Sequence, residues 1–427
     1  MIAIDIQTAD IPETYRRFAE VVGEAFWEKR ATAISQEIAG KPFLKEYLAR
    51  ENAICFQLEY LRMLAQQYGS VPASEIHNRA IYPAAGFAAQ VLSLLDASSE
   101  AFAEQFRRRV QGALKNPDNL RGLRLELAMA THFLRRGYRV NWPEMTETGR
   151  FDLLVEDLGP HGLEVECKSF SPDTGRKVPR LVALEFFGML WPRLEGTTRG
   201  LRTGLAVVLT APGRFPTHED TLRALAAEVG RHIFSGQDGT LDDGTLLRIT
   251  EFDAARLGHI PISTNPDERR SAIDGVTETQ NRESLVLGTT AGGAIALIVQ
   301  SVKDDTFMPS VFDTLSTSAR RQLTGDRAAM LLAELHGMQG EQLLSIAGQD
   351  QDPQQPPTTI ALGITKFLTG PPRDHVVGVG FLSEGALRPV ENGVVTSDGA
   401  AYYFPKRDSR FWSETFSGLF TWSRGAQ

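Results

Sequence analysis

The chain has 427 residues, 42% hydrophobic and 23% charged, ordinary for a soluble globular protein and long enough for two or three cored domains. Its formal net charge of −8 excludes a protein that coats nucleic acid indiscriminately. Its longest apolar runs, such as Ala294–Val299, are too short to span a bilayer, so no membrane partner is expected.

The first residues, MIAIDIQTADIPETYRR, meet acids early and carry no basic start before an apolar block, so no secretory signal is read there. Cys55 and Cys167 have no CxxC or Cys/His spacing for zinc and are expected to be reduced thiols of a cytoplasmic protein. Charge is uneven along the chain: residues 105–203 hold 17 Arg/Lys against 12 Asp/Glu. Arg107, Arg108, Arg109, Arg121, Arg124, Arg135, Arg136, Arg139, Arg176, Lys177 and Arg180 contribute. A local basic patch on an acidic chain suits a polyanion bound at one place, and a solvated helix surface is the plainer account of any single arginine.

Residues 1–104 are expected to be helical. Ile54, Leu58, Leu61, Ala65 and Tyr68 recur at the helical period, and Gly69 is placed to end that helix. From 105 to 262 strands and helices alternate: a helix over about 119–136, a strand at Tyr138–Val140, two short strands within 151–168, a helix at Arg180–Trp191, a strand at Leu205–Thr210 and a helix over about 218–234. Residues 263–284 are polar and read as a loop or linker. Residues 285–427 form a second α/β segment, with strands at Ile295–Val299, Met330–Leu335 and His375–Phe381, helices near 312–323 and 357–369, and an exposed loop at Gly348–Pro357. The C-terminal strands either complete the first sheet or form another.

The chemistry concentrates in FDLLVEDLGPHGLEVECK, residues 151–168. On its second strand Glu164, Glu166 and Lys168 share one face, opposite Leu163, Val165 and Cys167. A hairpin edge with a polar side would explain this blandly. Asp152 on the preceding strand supplies the competitor, because pairing the apolar faces brings it near Glu166. Two carboxylates held close repel unless a proton or a cation intervenes, and Mg²⁺ takes one or two carboxylates plus water and phosphate oxygens. Upstream, Leu123, Leu127, Ala130 and Leu134 make an apolar helix stripe, with Glu126 about 60° off its centre. Its plain role is a glutamate at the stripe's edge.

A helix glutamate, a strand aspartate and then Glu-x-Lys resemble the PD-(D/E)XK, restriction-endonuclease-like nuclease superfamily, and most of all its branch shared with junction resolvases and Mrr-type enzymes. The match covers about residues 118–212, and Phe151 stands where the motif name has proline. One [DE]xK triplet is what chance supplies with nine lysines; the weight comes from its context. The resemblance implies an α/β fold with a mixed central sheet flanked by helices. It implies Glu126, Asp152, Glu166 and Lys168 as catalytic residues, and Glu126, Asp152, Glu166 and the carbonyl of Cys167 as ligands for Mg²⁺ or Mn²⁺. The expected activity is a deoxyribonuclease, DNA preferred over RNA, with bacterial defence as a context by analogy; the rival reading is a catalytically inactive nuclease-like module that binds nucleic acid or scaffolds a complex. Arg124, Arg176, Lys177 and Arg180 are the expected nucleic-acid contacts. With no GxxxxGK[ST] loop, any motor would be a partner subunit; a homo-oligomer is left open.

Overall fold

The computed structural model describes residues 6–258, 266–279, 282–371, 373–385, 387–389, 394–397 and 399–419. In chain order the chain forms β1 (Ile6–Gln7), α1 (Ile11–Val22), α2 (Ala25–Gly40), α3 (Lys45–Glu51), α4 (Ala53–Tyr68), α5 (Tyr82–Asp96), α6 (Glu100–Ala113) and α7 (Pro117–Arg135). Then come β2 (Val140–Asn141), β3 (Leu153–Val155), β4 (Leu163–Phe170), α8 (Arg180–Thr198), β5 (Gly204–Ala211), α9 (Glu219–Ser235), β6 (Gly239–Thr240) and β7 (Leu246–Phe252). The remainder is α10 (Pro266–Thr277), β8 (Glu283–Gly288), β9 (Ala294–Ser301), α11 (Phe307–Arg321), β10 (Ala329–Gln339), α12 (Gly340–Gln351), α13 (Thr359–Thr369), β11 (Val376–Glu384), β12 (Leu387–Pro389), β13 (Val394–Ser397) and β14 (Ala401–Pro405). The protein is thus a mixed α/β chain, and it divides into two units.

The first unit gathers residues 1–34, 51–174 and 308–427. Its main sheet runs β14-β11-β10-β4-β3-β2, with β11, β10 and β4 parallel and the other pairs antiparallel. A small antiparallel sheet, β1-β13-β12, accompanies it. The run Ala329–Ala333 is apolar at every position because β10 is buried on both faces, as a central parallel strand must be. The helix α7 starts where the Asn116 side chain accepts from the backbone N–H groups of Asp118 and Asn119, with Pro117 at its first position. It stops before Gly137, whose φ of 84° suits glycine. Leu123, Leu127 and Ala130 of α7 share one core with Leu153, Val165 and Cys167 of the sheet. Of the C-terminal strands, β10, β11 and β14 therefore complete the sheet that holds the 151–168 hairpin.

The second unit gathers residues 35–50 and 175–307. Its sheet runs β6-β7-β5-β9-β8, with β5 and β9 parallel and the other neighbours antiparallel. The boundaries at 105, 262 and 285 thus do not follow the sheets: β5 pairs with β9, and β4 with β10. The linker expected at 263–284 is also corrected, since 266–277 form α10 and β8 begins at Glu283. Its polar composition hid two apolar side chains three residues apart, Ile273 and Val276, which are buried with Ala206, Val208 and Ile298. Residues 263–265 and 280–281 lie outside the described residues. The loop expected at 348–357 begins later, because α12 continues to Gln351.

Candidate active site

The strand β4 lies between β3 and β10, so its charged face is an interior face rather than a hairpin edge. Glu164 and Glu166 are both 0% exposed. Burying a carboxylate is costly unless something answers its charge, and the two glutamates are answered differently. Glu164 accepts from the Thr324 backbone N–H at 2.9 Å and the Thr324 hydroxyl at 2.6 Å, and Arg327 stands 3.2 Å away. That carboxylate is fully engaged by the segment leading into β10, and its role is structural.

Glu166 is ion-paired through Oε1 with the Lys168 ammonium two residues on, and its Oε2 is buried without a hydrogen-bond partner among the described residues. Asp152, 8% exposed, immediately precedes β3; the pairing Leu153↔Val165 continued one step sets it opposite Glu166. Its Oδ2 accepts from the Cys167 backbone N–H at 2.7 Å. Glu126, 5% exposed, comes from α7, which packs on β3 and β4. Its Oε1 takes the Arg109 guanidinium at 2.7 Å, while Oε2 is buried and unpartnered. Each acid is therefore held by one oxygen, and Glu126 and Glu166 each keep a second oxygen with nothing to bond.

The electrostatics follow from this crowding. Burial, and then the negative charge of Asp152, push the Glu126 and Glu166 carboxyls up to about 8, against the opposing pull of Arg109 and Lys168. Burial raises Asp152 too, and the Cys167 N–H works the other way. For Lys168, burial favours the neutral amine, but Glu166 and Asp152 together oppose it and raise the group above the ordinary lysine range. Burial together with these same acids raises the Cys167 thiol well above normal, which keeps the sulfur protonated and leaves the carbonyl implied by the resemblance as this residue's candidate donor.

The four residues singled out from sequence are thus brought together. Two that sequence reasoning did not assign join them: Arg109 of α6 and Glu144 of the segment between β2 and β3, 3.5 Å from the same guanidinium nitrogen. Neither lies in a periodic motif, and Arg109 looked like one member of a basic run. Among the described residues no three His, Cys, Asp or Glu side chains are grouped closely enough to hold a metal ion by themselves. The donor set that fits a hard cation is two carboxylates with orphaned oxygens, the Asp152 carboxylate and a carbonyl, with water completing the shell.

The expected nucleic-acid contacts divide. Arg124 lies on α7 in the first unit, where burial lowers its pKa and Glu334 and Glu384 oppose that shift. Arg176, Lys177 and Arg180 belong to the second unit. Arg176 and Arg180 both pair with buried Glu283, and the Lys177 amine donates to Thr306 at 3.4 Å. The two arginines are thus ion-paired within that unit, while the lysine meets a neutral hydroxyl. Much of the remaining basic run is matched as well: Arg107 and Arg108 pair with Glu104, Arg121 with Glu51 and Asp118, and Arg139 with Glu156 and Asp157. No helix among the described residues is long and apolar enough to cross a membrane. Compared with known protein families, curated proteins and solved structures, the chain matches none.

Proposed function

We propose that the chain is a divalent-metal-dependent nuclease with a restriction-endonuclease-like fold, hydrolysing phosphodiester bonds with DNA as its preferred substrate. One observation carries the reading: three buried acids from a helix and two adjacent strands converge beside an ammonium, each anchored through one oxygen, and two of them keep a buried oxygen unpartnered. A buried unsatisfied acceptor costs about 1–3 kcal/mol, and two acids left in that state beside a third carboxylate favour a bound cation. Glu126, Asp152, Glu166 and the Cys167 carbonyl would hold Mg²⁺ or Mn²⁺. When bound, the ion supplies Lewis-acid polarisation and a more acidic water.

The chain's own residues do the rest. Lys168, raised above the ordinary lysine range by the acids around it, stabilises negative charge that builds on the phosphate oxygens, so it serves as an electrostatic group rather than as a base at neutral pH. Arg109 and the Cys167 N–H orient Glu126 and Asp152 by holding one oxygen of each. A restriction-type defence role is an analogy with the family resembled. The test is cleavage of plasmid and linear DNA by wild type, Lys168→Ala and Asp152→Asn, each with Mg²⁺ or with EDTA. Metal-dependent cleavage by wild type alone is expected; equal cleavage by all three would reject the assigned roles.

A second reading is a nucleic-acid-binding or scaffold module without catalysis. It draws on the absence, among the described residues, of a close three-ligand group, and on the internal cations that already answer Glu126 and Glu166. It predicts salt-sensitive binding with no metal-dependent cleavage.

A further inference from the structure

We propose that Glu144 is a fourth acid of this site, whose charge helps capture the divalent ion; the inference rests on the metal-binding reading of Glu126, Asp152 and Glu166. One guanidinium nitrogen of Arg109 spans buried Glu126 at 2.7 Å and Glu144 at 3.5 Å, so the two carboxylates share a single cation. Glu144 is 55% exposed in its side chain and stands at the solvent side of that bridge. It is held there by its neighbours in the chain. Trp142 and Met145 are buried on either side of it, Trp142 packs edge-on against Phe102 of α6, and the Met145 N–H donates to the Trp142 carbonyl at 3.1 Å. The negative charge of Glu144 also acts on all three buried acids, raising each of them.

Charge balance gives Glu144 its role. With all groups ionised, Glu126, Glu144, Asp152 and Glu166 outnumber Arg109 and Lys168 by two, the deficit that one divalent ion removes. Without Glu144 the excess falls by half. An exposed acid with this geometry attracts the ion over a distance without having to ligate it, and its effect is screened by salt because it faces water.

The experiment measures Mn²⁺ affinity, by titration of the free-ion spin-resonance signal, for metal-free wild type, Glu144→Gln, Glu144→Lys, Glu144→Asp and Asp152→Asn. Glu100→Gln serves as the control, an exposed acid about 13 Å along α6 from Arg109. Glu144→Gln is expected to weaken Mn²⁺ about three- to tenfold at low salt, Glu144→Lys more, and Glu144→Asp least. The differences should shrink toward unity at about 1 M salt, with unchanged melting temperatures and an unaffected Glu100→Gln. Affinity lost in Asp152→Asn but unchanged in Glu144→Gln overturns this inference alone, as does an equal loss in Glu100→Gln. A wild type that binds no Mn²⁺ overturns the metal site and this inference together.

Discussion

Two glutamates of β4, both removed from solvent, differ in what their oxygens touch. Glu164 receives a hydroxyl and a backbone N–H from Thr324, whereas Glu166 meets only the Lys168 ammonium and is pushed up to about 8. Removing the hydroxyl by Thr324→Val should cost about 1.5–3 kcal/mol of stability while leaving metal affinity unchanged, as read by chemical denaturation and Mn²⁺ titration. Glu166→Gln should instead lower metal affinity and change how stability depends on pH. Its carboxyl holds a proton in the folded state that an ordinary glutamate, at 4.5, has released on unfolding. Metal-free wild type should therefore lose stability as pH rises from about 4.5 to about 8, and the slope flattens above that. In Glu166→Gln that decline should be shallower, so the variant melts higher than wild type at pH 8 without metal. A steeper decline in the variant would contradict the assignment. The alternation of charges at 164, 166 and 168 was legible in the sequence. What separates Glu164 from Glu166 was not, because Thr324, which satisfies Glu164, lies far away in the chain.

At the scale of elements, β4 depends on neighbours of two kinds. Its antiparallel partner β3 is close in sequence and announced by the turn with Gly159 and Gly162, both at positive φ. Its parallel partner β10 is remote, and nothing local in 151–168 signals it. That is why an exposed hairpin edge competed with a buried strand until the pairing Glu166↔Leu331 was seen. Helix α7 was legible for the opposite reason: its stripe, cap and glycine stop are all local. Polar α10 was not, since two buried apolar residues in twelve give too weak a period. In the second unit, the approach to β9 is sterically closed at Gly293, where an added Cβ would lie 2.4 Å from the carbonyl oxygens of both Leu201 and Thr203. Gly293→Ala should destabilise by about 1–3 kcal/mol, measured by denaturant unfolding.

At the scale of the molecule, the first unit is discontinuous, taking strands from either side of residues 175–307. A fragment ending at residue 262 keeps all four motif residues but loses β10, β11 and β14. It should fail to bury Glu166 and should show neither a cooperative melt nor Mn²⁺ binding; a stably folded fragment that binds the ion would contradict the sheet order. The same arrangement bears on how the chain is made. A ribosome working from the N-terminus delivers Asp152 and Lys168 long before Ala329 emerges, so the hairpin waits with one flank open while the whole intervening stretch is translated. An unfinished nascent chain therefore leaves Glu166 unburied, and the three acids are first enclosed after the last parallel strands have left the exit tunnel.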